Sequence, residues 1–258
     1  MRSDRHSEIP VELGSAAALI DDARALDVIL TTKQAEGVLA FGRLLVRWNR
    51  RFNLVSRQDV ARLRSRHLLD SLSLAPILDG VRQHTGPGSR VLDAGSGAGL
   101  PGLPLAIARP QVDFVLVERG SRKARFLNQV INELGLGNVT VFAGDARELA
   151  SGDCQGFGVV TARALAPPDE VWLLARRLLS STGRLLLMSR TGFVEDDVRT
   201  TPLDGAVVEA VQRISVPGLE RAHEVMIIRA DVKPMNANRS SGAHGQSHRG
   251  SKPKRWGR

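Results

Sequence analysis

From residue 89 onward the chain alternates short apolar runs with amphipathic stretches. Residues 89–93, Val112–Val117, Val139–Phe142, Gly158–Ala162 and Arg184–Ser189 are apolar over strand lengths. Between them, the segment from Pro101 (with Leu103, Leu105 and Ile107), Ser121–Leu134 and Pro168–Leu179 read as helices. This alternation predicts a mainly parallel sheet covered on both faces. Val207–Val216 and Val225–Ala230 follow with no helix between them, which predicts an antiparallel terminal hairpin. Ahead of the sheet the period is helical. A short helix is expected within Ser15–Leu30, and Thr32 is expected to cap a helix with Val38, Phe41, Leu45, Trp48 and Phe52 on one face. That face has core spacing, while Arg43, Arg47, Arg50 and Arg51 on the other side suit solvent or RNA phosphates equally. Trp48 to Val55 closes this helix, and Asp59–Leu78 is predicted to form the next.

These patterns divide the chain into a weakly patterned segment 1–30, a single domain 31–232 and a tail 233–258. Within the domain, helices occupy 31–80 and a Rossmann-like core occupies 89–232. Charge sharpens the last boundary. The net charge is +9, yet residues 233–258 hold seven Lys or Arg and no acid, leaving 9 − 7 = +2 for the rest. With Gly, Ser, Asn and His around those charges, the tail is expected to be disordered, either adding salt-sensitive affinity for a polyanion or serving solubility. The lone Cys154 excludes internal disulfides and a cysteine-rich metal site, so no metal is expected. The early apolar patch Ala16–Ile20 is stopped by Asp21 and Asp22, so neither a signal peptide nor a membrane span is expected. A cytoplasmic monomer is the resulting expectation.

The candidate chemistry begins where the first strand ends. Val91-Leu92-Asp93 runs into Ala94-Gly95-Ser96-Gly97-Ala98-Gly99-Leu100-Pro101-Gly102, placing glycines on a tight strand-to-helix turn that brings bare backbone to a ligand. Gly97-x-Gly99-x-x-Gly102 matches a dinucleotide fingerprint formally, but Asp93 at the strand end disfavours a pyrophosphate at the following helix. It suits S-adenosyl-L-methionine, which carries a sulfonium and an ammonium and no phosphate. The acid-x-Gly-x-Gly-x-Gly order is that of methyltransferases with a Rossmann-like sheet. Glu118 ends the second strand 25 residues after Asp93, a position from which an acid holds ribose hydroxyls. Asp145-Ala146-Arg147 follows the third strand, where a carboxylate and backbone amides can meet adenine, and Arg163 follows the fourth.

The methyl acceptor is constrained by missing residues. With no tyrosine, the chain lacks the Asn/Asp-Pro-Pro-Tyr loop used for exocyclic amines, and Ala166-Pro167-Pro168 is only a helix start. Cys154 does not resemble a nucleophile for a pyrimidine carbon. Guanine N7 has an available lone pair and needs neither device. His67 and Asp70, three apart on one helix face, can touch; such a pair is more often structural than catalytic, and no nucleophile lies near it in sequence.

Several segments together resemble the bacterial small-subunit (16S) ribosomal RNA guanine-N7 methyltransferases, the glucose-inhibited division protein B family. They are Trp48-Asn49…Asn53-Leu54, Arg66-His67-Leu68-Leu69-Asp70-Ser71-Leu72, the turn from Asp93 through Gly102-Leu103-Pro104-Leu105-Ala106, Lys123…Phe126-Leu127 and Arg163-Ala164. The resemblance spans roughly residues 35 to 230. It implies a class I S-adenosylmethionine-dependent methyltransferase fold, and cofactor contacts at Gly95, Leu100, Ala146, Arg147 and Arg163. It also implies RNA contacts at Arg122, Lys123 and Arg125, with small-subunit ribosomal RNA or the assembling subunit as partner. The chain departs from the family at Asp145-Ala146-Arg147-Glu148, where Arg-x-Glu is usual, and at Arg190-Thr191-Gly192, where Lys-Gly is usual. His67, Asp70 and Arg190 are therefore candidates near the reaction, with positioning as the expected mechanism. Two alternatives stay open: a small-molecule or protein acceptor, and a ribosome-associated binding protein without turnover.

Overall fold

The computed structural model describes residues 13–86, 88–151, 156–163, 165–190 and 203–231, with the Arg190 side chain outside the described set. The expected tail 233–258, Cys154 and Thr191-Gly192 lie outside these residues. Among the described residues, seven strands form one sheet in the order β3-β2-β1-β4-β5-β7-β6. They are β1 (Val91–Ala94), β2 (Phe114–Val117), β3 (Val139–Phe142), β4 (Phe157–Arg163), β5 (Leu179–Arg190), β6 (Ala206–Ile214) and β7 (His223–Ala230). The first five are parallel and β7 runs antiparallel between β5 and β6, so the α/β sheet and its terminal hairpin are as the patterning predicts.

Period-two alternation sends side chains into two cores. Val91, Val159, Leu186, Met188, Val225 and Ile227 join one, while Leu92, Ala94, Val160, Leu185, Leu187, Met226 and Ile228 join the other. The first core is covered by α1 (Ala16–Arg24), α2 (Thr32–Asn49), the segments from α3 (Arg57–Val60) through α4 (Asp70–Leu72) to α5 (Ala75–Thr85), then α6 (Gly102–Ala108) and α7 (Ser121–Leu134). The second is covered by α8 (Ala146–Ser151) and α9 (Pro168–Ala175). Among the described residues no helix is long and apolar enough to cross a membrane.

Local details differ from the sequence expectation for physical reasons. Thr31, not Thr32, caps α2, because its hydroxyl accepts from Gln34 N–H while the Gln34 side chain accepts from Thr31 N–H at 2.7 Å. The helix expected over Asp59–Leu78 is broken into α3, a π-helical segment Arg64–Leu69, α4 and α5. The family-like Trp48-Asn49 pair turns out to be scaffold. Trp48 packs 5.5 Å from Phe126 of α7, and Asn49 Oδ1 accepts the Leu54 and Val55 N–H groups at 2.7 and 2.9 Å, locking the end of α2.

Candidate functional site

The turn after β1 has two faces. Gly95 and Gly97, with φ of +68° and +56°, are its half-exposed glycines and line a cavity of about 650 Å³ at the carboxyl ends of β1 to β4. That volume lies in the range of small-molecule sites, and the position is where open α/β sheets bind ligands. A Cβ on Gly97 would meet only the Gly95 carbonyl, at 3.8 Å, and would otherwise enter the cavity. Gly99 and Gly102 serve packing instead. A Cβ on Gly102 would crowd Leu116, and would come within 2.7 Å of Asp93 Oδ2.

Asp93 lies beneath this turn and is not among the cavity-lining residues. Its Oδ1 accepts from Thr161 Oγ1 on the paired strand β4 at 2.9 Å, and its Oδ2 accepts from Gly102 N–H at 3.2 Å. Burial pushes its carboxyl up to about 6 against the lowering effect of these bonds. The carboxylate that the sequence suggests for the ligand is thus used to tie the start of α6 to two strands.

Glu118 is the acid that reaches the cavity wall. Only 7% exposed, it accepts from Gly97 N–H at 2.9 Å and from Gly120 N–H at 2.6 Å, joining the glycine turn to the loop after β2. A carboxylate has about four lone-pair sites, so both oxygens keep capacity for ligand hydroxyls. Asp145, Ala146 and Arg147 also line the cavity. Asp145 Oδ1 accepts from Arg147 N–H at 2.9 Å, while Glu148 Oε1 accepts from Asp145 N–H at 3.3 Å, so the departure from the family pattern forms a reciprocal cap on α8. Leu100 is buried in the core and is not among the lining residues. Of the basic cluster on the first turn of α7, Lys123 lines the cavity, and Arg122 and Arg125 are exposed.

Sequence reasoning misses the far wall. Leu165 and Leu173 line it and stay 39% and 48% exposed, and Leu165 sits where a Cβ on Gly95 would fall. Arg119, Glu170 and Arg177 add charge. Arg119 adjoins Glu118 and was findable by that adjacency, whereas residues on α9 face the cavity only through helix placement.

His67 and Asp70 are brought together with Arg163 in a buried cluster. Arg163 Nη1 lies 3.1 Å from Asp70 Oδ2, its Nη2 donates to His67 Nδ1 at 3.0 Å, and His223 Nδ1 lies 2.8 Å from Asp70 Oδ1. Burial, with the Arg163 charge second, holds His67 down at about 4. Burial opposes ionisation of Asp70, but the His223 bond and the Arg163 charge together keep its carboxyl below the usual value. His223 leaves no local sequence signal, because only the β7 pairing carries it to Asp70, 153 positions away.

The cavity residues fit a cationic nucleoside with a carboxylate. Acids Glu118, Asp145 and Glu170 stand among the cations Arg119, Lys123, Arg147 and Arg177, and with the bare Gly97 backbone this mixed lining suits a zwitterionic, ribose-bearing ligand of nucleoside size. Comparison with known proteins agrees in family and fold. A family model described as rRNA small subunit methyltransferase G matches residues 34–226. The chain is 40% identical over 208 residues to Ribosomal RNA small subunit methyltransferase G of Ralstonia nicotianae, covering 80% of this chain and 91% of the relative. It is 38% identical to the protein of the same description in Methylococcus capsulatus, covering 78% and 90%. Among solved structures, MtNAS in complex with MTA and tNA aligns with a TM-score of 0.50 at 18% identity, covering 83% of this chain and 75% of that one, a likeness of fold.

Proposed function

Because the chain belongs to the rRNA small subunit methyltransferase G family, we propose that it methylates N7 of a guanine in small-subunit ribosomal RNA, using S-adenosyl-L-methionine. The carrying observation is the cavity at the glycine turn, where the Gly97 face is open and Glu118 is fixed on the Gly97 and Gly120 amides. When bound, S-adenosyl-L-methionine supplies an electrophilic methyl group on a sulfonium.

The chain's own residues supply positioning. Glu118 accepts from ribose hydroxyls, Asp145 and the Ala146 and Arg147 backbone meet the adenine edge, and Gly95 and Gly97 let the main chain approach. Arg163, a cofactor contact by the resemblance, does not line the cavity and has its guanidinium held by His67 and Asp70, so Arg119 and Lys123 are the lining cations available to the carboxylate. Leu165 and Leu173 keep water from one wall. Guanine N7 presents its lone pair without deprotonation, so no general base is required and in-line approach is the main demand. Arg119 and Lys123 line the cavity, and Arg122 and Arg125, exposed on the same helix as Lys123, add positive charge that suits RNA phosphates.

The test is transfer of labelled methyl from S-adenosyl-L-methionine to purified small subunits, to bare ribosomal RNA and to a metabolite extract. Label in N7-methylguanine of subunits or RNA is expected. Label confined to the extract would overturn the RNA acceptor.

A further inference from the structure

Positive charge in the body of the chain is gathered in one segment. Residues 43–66 hold eight arginines and one acid, Asp59, a net +7. Because residues 1–232 carry +2 in all, the remainder of that span is left with 2 − 7 = −5. Stability gives no reason for such crowding, since like charges closer than the screening length of about 8 Å repel one another. Part of the charge is neutralised: Arg47 pairs with Glu133, Arg64 with Asp22 and Arg66 with Asp59. Arg43, Arg51, Arg57 and Arg62 are exposed and pair with no acid among the described residues.

The loop between α2 and α3 is held so that it presents a hollow. Asn49 ties the Leu54 and Val55 N–H groups, Leu54 is buried, and the Ser56 hydroxyl donates to Asp59 Oδ2 at 2.7 Å. Between these anchors an open concavity of about 560 Å³ is lined by Asn53, Leu54, Val55, Ser56 and Arg57. Asn53, from the family-like Asn53-Leu54 pair, is exposed there, whereas Leu54 belongs to the core. Its side-chain amide and the Arg57 guanidinium are both donors, the groups that commonly contact nucleic-acid phosphates. The segment also adjoins the chemistry at both ends. The Arg66 carbonyl accepts from Arg163 Nη2 at 3.4 Å at the carboxyl end of β4, the end of the sheet where the cofactor cavity opens. Trp48 packs 5.5 Å from Phe126, one helical turn from Arg122 on α7.

We propose that Arg51, Arg57 and Arg62, with Asn53, form a second contact surface for the sugar-phosphate backbone of small-subunit RNA, distinct from the cations at the cavity, which holds the RNA flanking the reacting guanine. This rests on the reading of ribosomal RNA as the methyl acceptor. Backbone contacts position without reading bases, so the surface acts on RNA affinity and leaves the cofactor site and the transfer step alone.

The experiment compares three variants of the full chain with wild type. They are the triple Arg51→Gln/Arg57→Gln/Arg62→Gln, the single Asn53→Ala, and a control of equal charge loss at exposed sites outside the segment, Lys33→Gln/Arg213→Gln/Arg221→Gln. The readouts are Kd for purified small subunits and for bare small-subunit RNA across about 50 to 200 mM salt, KM and kcat for methyl transfer, calorimetric Kd for S-adenosyl-L-methionine, and melting temperature. The triple variant is expected to raise Kd and KM for subunits by about ten-fold or more, and to lower the slope of log affinity against log salt by roughly 2, at about 0.7–0.9 per phosphate contact. Asn53→Ala should weaken binding by about three-fold with the slope unchanged, because a neutral amide releases no counterion. Affinity for S-adenosyl-L-methionine, kcat at saturating subunits and melting temperature should stay at wild-type values, and the control should bind RNA within about two-fold of wild type. A triple variant with wild-type Kd and salt slope would overturn the proposal and show a solvated face. Equal weakening in the control would overturn it in favour of net charge alone, and loss of cofactor binding in the triple variant would show that the surface is not distinct from the cavity. Absence of methyl transfer to subunits by the wild-type chain, with RNA binding still dependent on the three arginines, would instead overturn the acceptor reading.

Discussion

Replacing Gly97 by Val and Gly102 by Ala should separate loss of ligand binding from loss of fold. At Gly97 an added Cβ meets no protein atom closer than the Gly95 carbonyl at 3.8 Å, so the main folding cost is conformational. Holding an L-residue at φ +56° costs roughly 1–2 kcal/mol. For a domain of this size that lowers the melting temperature by about 2–8 °C, at about 2–4 °C per kcal/mol. Cofactor affinity should fall far more, by about 100-fold or greater, equivalent to about 2.7 kcal/mol, because the valine enters ligand space. At Gly102 the added Cβ meets Leu116 and the Asp93 carboxylate, so overpacking of about 1–3 kcal/mol is joined by displacement of a buried acid. That variant should lose stability first and bind cofactor weakly only as a consequence. Calorimetry with S-adenosyl-L-methionine and thermal unfolding measure both quantities on each protein. Near-wild-type affinity in Gly97→Val would refute the assignment of the turn as the ligand face.

The pH dependence of stability contains two opposed contributions. Asp93, raised to about 6, keeps its proton in the folded chain after the unfolded one has lost it, so its contribution falls as pH rises from about 4 to about 6. His67, lowered to about 4, resists the proton that the unfolded chain accepts below 6.5, so its contribution rises with pH across nearly the same window. Each amounts to roughly 3 kcal/mol at about 1.4 kcal/mol per pH unit; Asp93→Asn should therefore leave a steeper loss of stability on acidification, measured by urea unfolding between pH 4 and 7, and an unchanged slope would count against it. Glu118→Gln keeps one acceptor oxygen but places an amide NH2 against either the Gly97 or the Gly120 N–H, so cofactor affinity should drop at least ten-fold by calorimetry, with a stability loss of about 1–3 kcal/mol. Deleting 233–258 removes seven positive charges and no acid; cofactor affinity should survive while RNA affinity falls and its salt dependence becomes shallower, and an unchanged salt slope would mark the tail as a solubility appendage.

The sheet was legible because its strands are apolar runs of strand length separated by helical stretches, a pattern set by burial on both faces. The glycine turn was legible as a place of bare backbone, and Gly95 and Gly97 do line a cavity, yet its acids were not sorted by role. Asp93 and Glu118 both end strands, and only the alternation that turns Asp93 toward α6, with Thr161 beside it, shows that the first is structural. The break of the helix around His67 was hidden because a π-turn changes the register by a single residue while leaving the apolar spacing nearly intact. Leu165, Leu173 and His223 carry no motif and break no periodicity. Their neighbours come from distant segments, so local pattern carries no trace of them.

The central claim is tested most directly in ribosomal RNA from a strain lacking the gene, compared with its parent. Borohydride reduction followed by aniline cleavage maps N7-methylguanine to single nucleotides. The account predicts one small-subunit guanine that is cleaved in the parent, spared in the deletion strain and cleaved again when the gene is restored, but not when the Gly97→Val variant is supplied. Persistence of every N7-methylguanine in small-subunit RNA without the gene would contradict it.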